Sequence, residues 1–307
     1  MTETIAITPR STSLAVGSYT ELTELRAADP GAIARAFATR TRRELVRGDG
    51  RLMIVAADHP ARGALSASGD PFAMNSRKDL LDRLVTALHR PGVDGVLGTA
   101  DIIEDLLLLG ALEDKVVFSS LNRGGLAGAD FEIDDRMTAY TPRATAAAGL
   151  NGAKMLNRFD LTDHGTLSMM TASAAAIDEL AGLGLIAMLE PFMSHRPDGP
   201  GTRVVNDLSP DAVIKSIHIA QGLGSTSAYT WLKLPVVEEM ERVMDATTLP
   251  TLLLGGDPQT APEETYARWA KALALPGVRG LIVGRTLLYP PDGDIAGAVD
   301  TAVSLVR

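Results

Sequence analysis

The segment SPDAVIKSIHIAQGLGSTSAYTWLKL, residues 209–234, carries the pattern that decides the fold. Ser209 suits a helix N-cap and Pro210 a first helical turn, so the pair opens a helix over DAVIKSIHIAQGLG. A short apolar run follows at 229–234, bounded by turn residues and too short for a helix. Helix followed by apolar strand is one turn of a βα alternation, and after residue 50 that alternation runs to the end of the chain. Short apolar runs occur at 52–57, 93–99, 115–120, 152–157, 185–190, 229–234, 251–255 and 280–284. They are near-continuously apolar, as strands covered on both faces must be. Eight such units in order predict a closed (β/α)₈ TIM barrel, of class α/β, rather than an open sheet.

Helix starts recur between the strands. Asn75-Ser76 precedes RKDLLDRLVTALHR, Asp101 precedes IIEDLLLLG, and Ala261-Pro262 opens EETYARWAKALAL. Residues 167–182 and 294–306 complete the alternation. The first fifty residues differ. From Thr20 to Val46 the apolar spacing is helical, interrupted by Asp29-Pro30-Gly31, which predicts two extra N-terminal helices. The expected organisation is therefore a helical extension over 1–50 and a catalytic barrel over 51–307. No linker, low-complexity tract or repeat in sequence divides it further.

At 307 residues with a net charge of −9, the chain has room for a large core and no basic run beyond residues 40–43. That excludes broad nucleic-acid binding and attraction to an anionic membrane, but allows a local basic pocket. There is no cysteine, hence no disulfide or thiolate metal site. The polar opening MTETIAITPRSTS has no signal-peptide core, and a cytoplasmic protein is expected. Lysine is scarce beside arginine, so the lysines set in apolar runs, Lys154 and Lys233, stand out.

Reactive groups of such barrels sit at the C-terminal ends of the strands. The first strand ends at Asp58 and the fourth contains Lys154. The fifth ends at Glu190, the sixth holds Lys233 between Leu232 and Leu234, the seventh ends at Gly255-Gly256 and the eighth at Gly284-Arg285. An apolar pocket and a nearby second cation both disfavour an ammonium, which frees an amine to attack a carbonyl and form an imine. The alternative is a buried lysine whose head pairs with Glu190 or Asp58. Lys154 is either the second cation or a structural partner for Asp58. Glu190 suits proton transfer, or the orienting of a neighbour. The last two loops, rich in glycine and bearing an arginine, suit a phosphate.

Taken in strand order, this set resembles the class I, Schiff-base aldolases, over residues 52–305. It is most similar to the branch with bacterial fructose-bisphosphate, tagatose-bisphosphate and sulfofructose-phosphate aldolases. The resemblance implies a lyase of carbohydrate metabolism that makes or cleaves a C–C bond of a phosphorylated ketose or deoxy-keto sugar acid. It implies Lys233 as the Schiff-base lysine, Glu190 as acid/base for the imine, and Lys154 and Asp58 for hydroxyl binding and proton transfer. Gly255, Gly256, Gly284 and Arg285 would hold the phosphate. No cofactor and no metal are implied, and the expected partners are a small sugar phosphate and copies of the chain itself. The segment LNRGGLAGADFEIDDR also resembles an actinobacterial subgroup labelled deoxyribose-phosphate aldolase or inositol-catabolism protein. Deoxyribose-phosphate aldolases carry a second lysine on the seventh strand, whereas TLLLGGD has none, which favours the ketose-phosphate type.

Two other readings remain open at this level. His59, His164 and His195 each lie near a strand end and could serve a metal-dependent lyase or hydrolase, although no HxH or HExxH spacing supports them. A catalytically silent barrel that senses a sugar phosphate is the other. The loop 122–136, with Arg123, Arg136, Asp130, Glu132, Asp134 and Asp135, reads as a lid, an oligomer contact or a solvated loop.

Overall fold

A computed structural model describes residues 19–199, 202–256 and 262–307. Eight parallel strands close into a barrel: β1 (Leu52–Ala56), β2 (Gly95–Gly98), β3 (Val116–Ser120), β4 (Gly152–Phe159), β5 (Ile186–His195), β6 (Thr230–Pro235), β7 (Thr251–Leu254) and β8 (Val278–Val283). Each pairs with the next in parallel, and β8 returns to β1 with Leu52 opposite Gly280 and Val55 opposite Val283. The eight predicted strands are the eight observed, with ends shifted by a residue or two except at β5.

Strand periodicity sorts the side chains into two shells. Met53, Val55, Val117, Met155, Leu189 and Leu232 face outward into the large cluster shared with the helices. Leu52, Ile54, Leu97, Val116, Phe118, Met188, Trp231, Leu252 and Ile282 face inward and fill the barrel's interior. Continuing the inward parity upward leads to Asp58 beyond β1, Ser120 in β3, Lys154 in β4, Glu190 in β5, Lys233 in β6 and Gly284 beyond β8. The apolar filling thus stops at a layer of charge, placed there by the alternation alone.

The helices lie outside. Arg77–Leu88 begins at Ser76, whose hydroxyl accepts from the Asp79 amide. Pro210–Gln221 begins at Ser209, as its sequence predicts. The helix predicted to follow Asp101 starts earlier, Ala100–Leu108, with Thr99 at the N-cap and Asp101 in the first turn. There the Asp101 carboxylate accepts from Thr99 Oγ1 at 2.5 Å. Pro262–Leu273 is helical, whereas Ala261 lies outside the described residues.

The N-terminal extension is helical over Tyr19–Ala28 and Gly31–Thr39, and what precedes Tyr19 lies outside the described residues. Leu22 and Phe37 join the outer hydrophobic cluster, and Arg26 pairs with Glu104 at 3.0 Å and Asp105 at 2.8 Å. The second helix ends at Thr39, not near Val46. From Arg40 onward the chain runs under the barrel, where Arg40 donates to the carbonyls of Lys115 (3.3 Å) and Gly149 (2.9 Å). Arg43 pairs with buried Asp94 at 2.7 Å, and Leu45 packs against the inner cluster. These buried guanidiniums find carbonyl and carboxylate partners that a continued helix would not reach.

The fifth strand departs most from expectation. It outruns the barrel to His195 and folds back on a short antiparallel strand, Val205–Asp207, with Met193 opposite Asp207 and His195 opposite Val205. This hairpin raises one wall above the strand ends. Among the described residues, no helix is long and apolar enough to cross a membrane.

Candidate functional site

At the C-terminal end of the barrel lies a cavity of about 630 Å³. Its lining includes all eight residues singled out in the sequence: Asp58, Lys154, Glu190, Lys233, Gly255, Gly256, Gly284 and Arg285. That volume lies within the roughly 300–1,000 Å³ range of small-molecule sites.

The charged side chains form one continuous ladder. Lys233 Nζ lies 2.9 Å from Glu190 Oε1, and Glu190 Oε2 lies 2.8 Å from Lys154 Nζ. Lys154 Nζ in turn lies 2.7 Å from Asp58 Oδ2, which receives Arg123 at 2.6 Å. The strand register explains the Glu190 end of the ladder. Leu156 pairs with Glu190 across β4 and β5, and Leu189 with Leu232 across β5 and β6, so Lys154 and Lys233 reach Glu190 from the strands on either side of it, whereas Asp58 lies beyond β1, which is not a neighbour of β4. Lys154 and Lys233 are almost wholly buried, with side chains 2 % and 3 % exposed. Lys233 Nζ therefore sits against a carboxylate that Lys154 shares, which brings together the paired alternative and the nearby second cation.

Burial would raise the carboxyls of Asp58 and Glu190, but the adjacent cations overcome it. Lys154 and Arg123 hold Asp58 well below the usual carboxylate range, and Lys154 and Lys233 hold Glu190 below it too. Both are ionised near neutral pH. Burial draws Lys154 down to about 8, against the pull of Asp58 and Glu190. His59 also lines the cavity, with Nδ1 3.9 Å from Asp58 Oδ1, beyond hydrogen-bond reach. Burial lowers it to about 3, so it is a neutral wall of the site.

On the opposite side the backbone approaches closely. A Cβ at Gly284 would sit 2.3 Å from the Ala56 carbonyl oxygen, and one at Gly255 would sit 2.5 Å from Val283 Cγ1. Only glycine fits at either place, which leaves open backbone beside Arg285. Arg285 itself opens a short helix, Arg285–Leu288, directly after β8.

The structure gives several residues a place that the sequence reading did not. Arg123 and the start of loop 122–136 are buried parts of the site. Arg123 Nε and Nη2 donate to Ser120 Oγ at 3.1 and 2.9 Å, while Nη1 reaches the Asp58 carbonyl at 3.2 Å. Arg62, in the short turn after Asp58, pairs with Asp135, and Arg158 pairs with Glu132. The loop is thus pinned by buried ion pairs, although Asp130 and Arg136 of the same segment are not buried. Arg203 and Asn206 of the hairpin, with Arg268 and Trp269, complete the cavity wall. The sequence reading has Arg123, Glu132 and Asp135 only as members of a lid, oligomer contact or solvated loop, and it does not single out Arg62, Arg158, Arg203, Asn206, Arg268 or Trp269. Of the three histidines weighed for a metal, His164 and His195 are exposed and do not line the cavity. Among the described residues no group of three or more His, Asp or Glu side chains is arranged to hold a metal ion.

A model of the Cgl0159-like family matches residues 50–303, the whole barrel. The chain belongs to the Cgl0159-like family. The crystal structure of Cgl0159 from Corynebacterium glutamicum is 57 % identical, covers 95 % of this chain and 98 % of its own, and superposes with a TM-score of 0.92. Fold similarity extends to two solved fructose-1,6-bisphosphate aldolases. A Schiff-base-forming fructose-1,6-bisphosphate aldolase is 17 % identical, covering 90 % of this chain and 100 % of its own, with a TM-score of 0.60. An archaeal fructose-1,6-bisphosphate aldolase, with its catalytic lysine bound to the carbinolamine intermediate, is 16 % identical. It covers 89 % of this chain and 99 % of its own, with a TM-score of 0.61. At such identity these two show a shared barrel fold. Comparison with curated proteins gives no match.

Proposed function

We propose that this Cgl0159-like protein is a class I aldolase that makes or breaks a C–C bond of a phosphorylated ketose, or of a deoxy-keto sugar acid, through a Schiff base on Lys233. The observation that carries the reading is the ladder Lys233–Glu190–Lys154–Asp58, facing one cavity with the glycine-lined end at Arg285. Its barrel is also the fold of aldolases that use a lysine in this way.

Each member has a task that its surroundings fit. Lys233 must shed a proton before attacking a carbonyl, and ionised Glu190, 2.9 Å away, accepts it. Attack gives a carbinolamine, in which the former ammonium is neutral. Glu190 has then lost one of the two cations that held its carboxyl down, so its affinity for the proton rises. It can pass that proton to the departing hydroxyl, and water leaves as the iminium forms. For cleavage, Asp58 takes the proton of the substrate hydroxyl beside the scissile bond. The O–H electrons become the carbonyl of the released aldehyde. The C–C pair enters an enamine as the iminium π pair moves onto nitrogen. Lys154, drawn to about 8 and touching both carboxylates, can exchange protons between them. Protonation of the enamine and hydrolysis of the imine restore the free lysine. Backbone amides at Gly255, Gly256 and Gly284, with Arg285, hold the phosphate. A cytoplasmic homo-oligomer working without a cofactor completes the proposal.

The direct test is reduction in the presence of a ketone. Dihydroxyacetone phosphate followed by borohydride should add one reduced adduct per chain and destroy activity, whereas unphosphorylated dihydroxyacetone should react far more slowly. A chain that gains no mass with either compound, nor with pyruvate, the ketone that a deoxy-keto sugar acid would supply, is not a Schiff-base aldolase of the kind proposed.

A further inference from the structure

Asp58 presents its two carboxylate oxygens to different surroundings. Oδ2 receives Lys154 at 2.7 Å, Arg123 at 2.6 Å and the Ser120 hydroxyl at 3.3 Å. For Oδ1, His59 Nδ1 lies at 3.9 Å, outside hydrogen-bond range. With these partners gathered on Oδ2, Oδ1 accepts no hydrogen bond among the described residues, and Asp58 borders the cavity. Arg123 does more than supply charge. Its guanidinium spans the Asp58 side chain and the Asp58 backbone carbonyl, and its Nε and Nη2 also hold Ser120. This three-point grip fixes both the rotamer and the backbone position of Asp58. It comes from a different strand loop, the one that Arg62 and Asp135 pin in turn. A planar guanidinium can make all these contacts at once, and an ammonium cannot.

We infer that Arg123 is a positioning residue for bond cleavage: it clamps Asp58 Oδ2 so that Oδ1 meets the substrate hydroxyl whose proton leaves as the C–C bond breaks. Arg123 makes no ion pair or hydrogen bond with Lys233 or Glu190 among the described residues and acts on Glu190 only by charge at a distance, so imine formation should depend on it far less than cleavage does. The inference rests on the aldolase reading and divides the reaction in two. Forming an imine with dihydroxyacetone phosphate needs Lys233 and Glu190. Cleaving a ketose phosphate needs Asp58 as well, because only then must a hydroxyl proton depart.

The experiment measures both halves in the same protein. Wild type, Arg123→Lys, Arg123→Met and Asp58→Asn are compared for borohydride trapping by dihydroxyacetone phosphate. They are also compared for cleavage of fructose 1,6-bisphosphate, tagatose 1,6-bisphosphate and fructose 1-phosphate, using whichever the wild type cleaves fastest. Misplacing the acceptor should lower kcat for cleavage about 100-fold in Arg123→Lys, with trapping kept within about threefold. KM should change little. Arg123→Met combined with Asp58→Asn should be no slower than Asp58→Asn alone, because both remove one device. Equal loss of trapping and cleavage in Arg123→Lys would show a merely structural role. Unchanged cleavage, or losses that multiply in the double variant, would also overturn the inference. A wild type that is never trapped would instead remove the aldolase reading, and this inference with it.

Discussion

Two buried charge networks stand side by side at the top of this barrel, and they are built differently. In loop 122–136 the buried carboxylates Asp135 and Glu132 brace the loop's own backbone, and of its buried charges Arg123 reaches out to Asp58. Arg62 reaches Asp135 and the carbonyls of Asn122 and Gly125, while Asp135 accepts from the Gly125 amide at 3.0 Å. Glu132 accepts from the Gly128 amide at 2.8 Å and from Arg158, which also holds the Glu132 carbonyl at 2.8 Å. Among the described residues the ladder from Asp58 to Lys233 has no such backbone ties at Glu190, Lys154 or Lys233; cations and carboxylates alternate and border the cavity. Charges braced by backbone hold a shape. Charges braced only by one another can exchange protons and partners when a ligand enters.

That contrast is open to attack by mutation. The largest expected effect is at Lys233. Lys233→Met should remove all turnover and all borohydride trapping, yet leave a folded barrel by circular dichroism, since Glu190 retains Lys154. Retained turnover would show that the ladder's end does no chemistry.

In the loop network the loss should fall on stability instead. Glu132→Ala leaves Arg158 buried without its carboxylate, which should cost about 3–5 kcal/mol in chemical denaturation. Trapping of the protein that remains folded should be nearly normal. A large loss of trapping at unchanged stability would reverse the roles assigned to the two networks.

Glu190→Gln keeps the shape but cannot carry a proton. Its kcat should fall at least about 100-fold, while an adduct still forms slowly and accumulates. The pH dependence of stability gives a second check. A carboxyl depressed by folding stabilises the native state above its unfolded pKa, and that contribution fades as pH falls through the folded value. For Glu190 the window runs from its ordinary value of 4.5 down to about 2. The stability gap between wild type and Glu190→Gln should be full near neutral pH and close progressively through that window. A gap that is constant with pH would contradict a depressed Glu190.

The smallest effect is expected at the anion end. Arg285→Ala should raise KM for a phosphorylated substrate about ten- to a hundred-fold, the loss of one charge-assisted contact worth roughly 1.5–3 kcal/mol. An unphosphorylated analogue should be indifferent. Equal losses on both would place the phosphate elsewhere.

Much of this arrangement is readable in the chain because period-2 alternation is a strong constraint. Once Leu52 and Ile54 are inward, Asp58 lies two inward steps beyond Ile54, and Lys154, Glu190 and Lys233 follow by the same parity on their own strands. The unread parts depend on tertiary partners. Whether Arg123 is a solvated loop residue or a buried clamp is decided by Asp58 and Ser120, sixty-five and three positions away. The run of β5 to His195 depends on Val205–Asp207 folding back to pair with it, and no local propensity signals that pairing. The end of the second helix at Thr39 likewise answers to carbonyls of Lys115 and Gly149 under the barrel.

The central claim is that Lys233, and not its neighbour Lys154, becomes the covalent nucleophile. Both are buried and both touch Glu190, so activity alone does not separate them. Proteolytic mapping of the protein reduced with borohydride in dihydroxyacetone phosphate does. The account predicts the reduced adduct on the peptide containing Lys233, in wild type and, at a lower rate, in Lys154→Ala. An adduct on Lys154, or on any lysine other than Lys233, would contradict it.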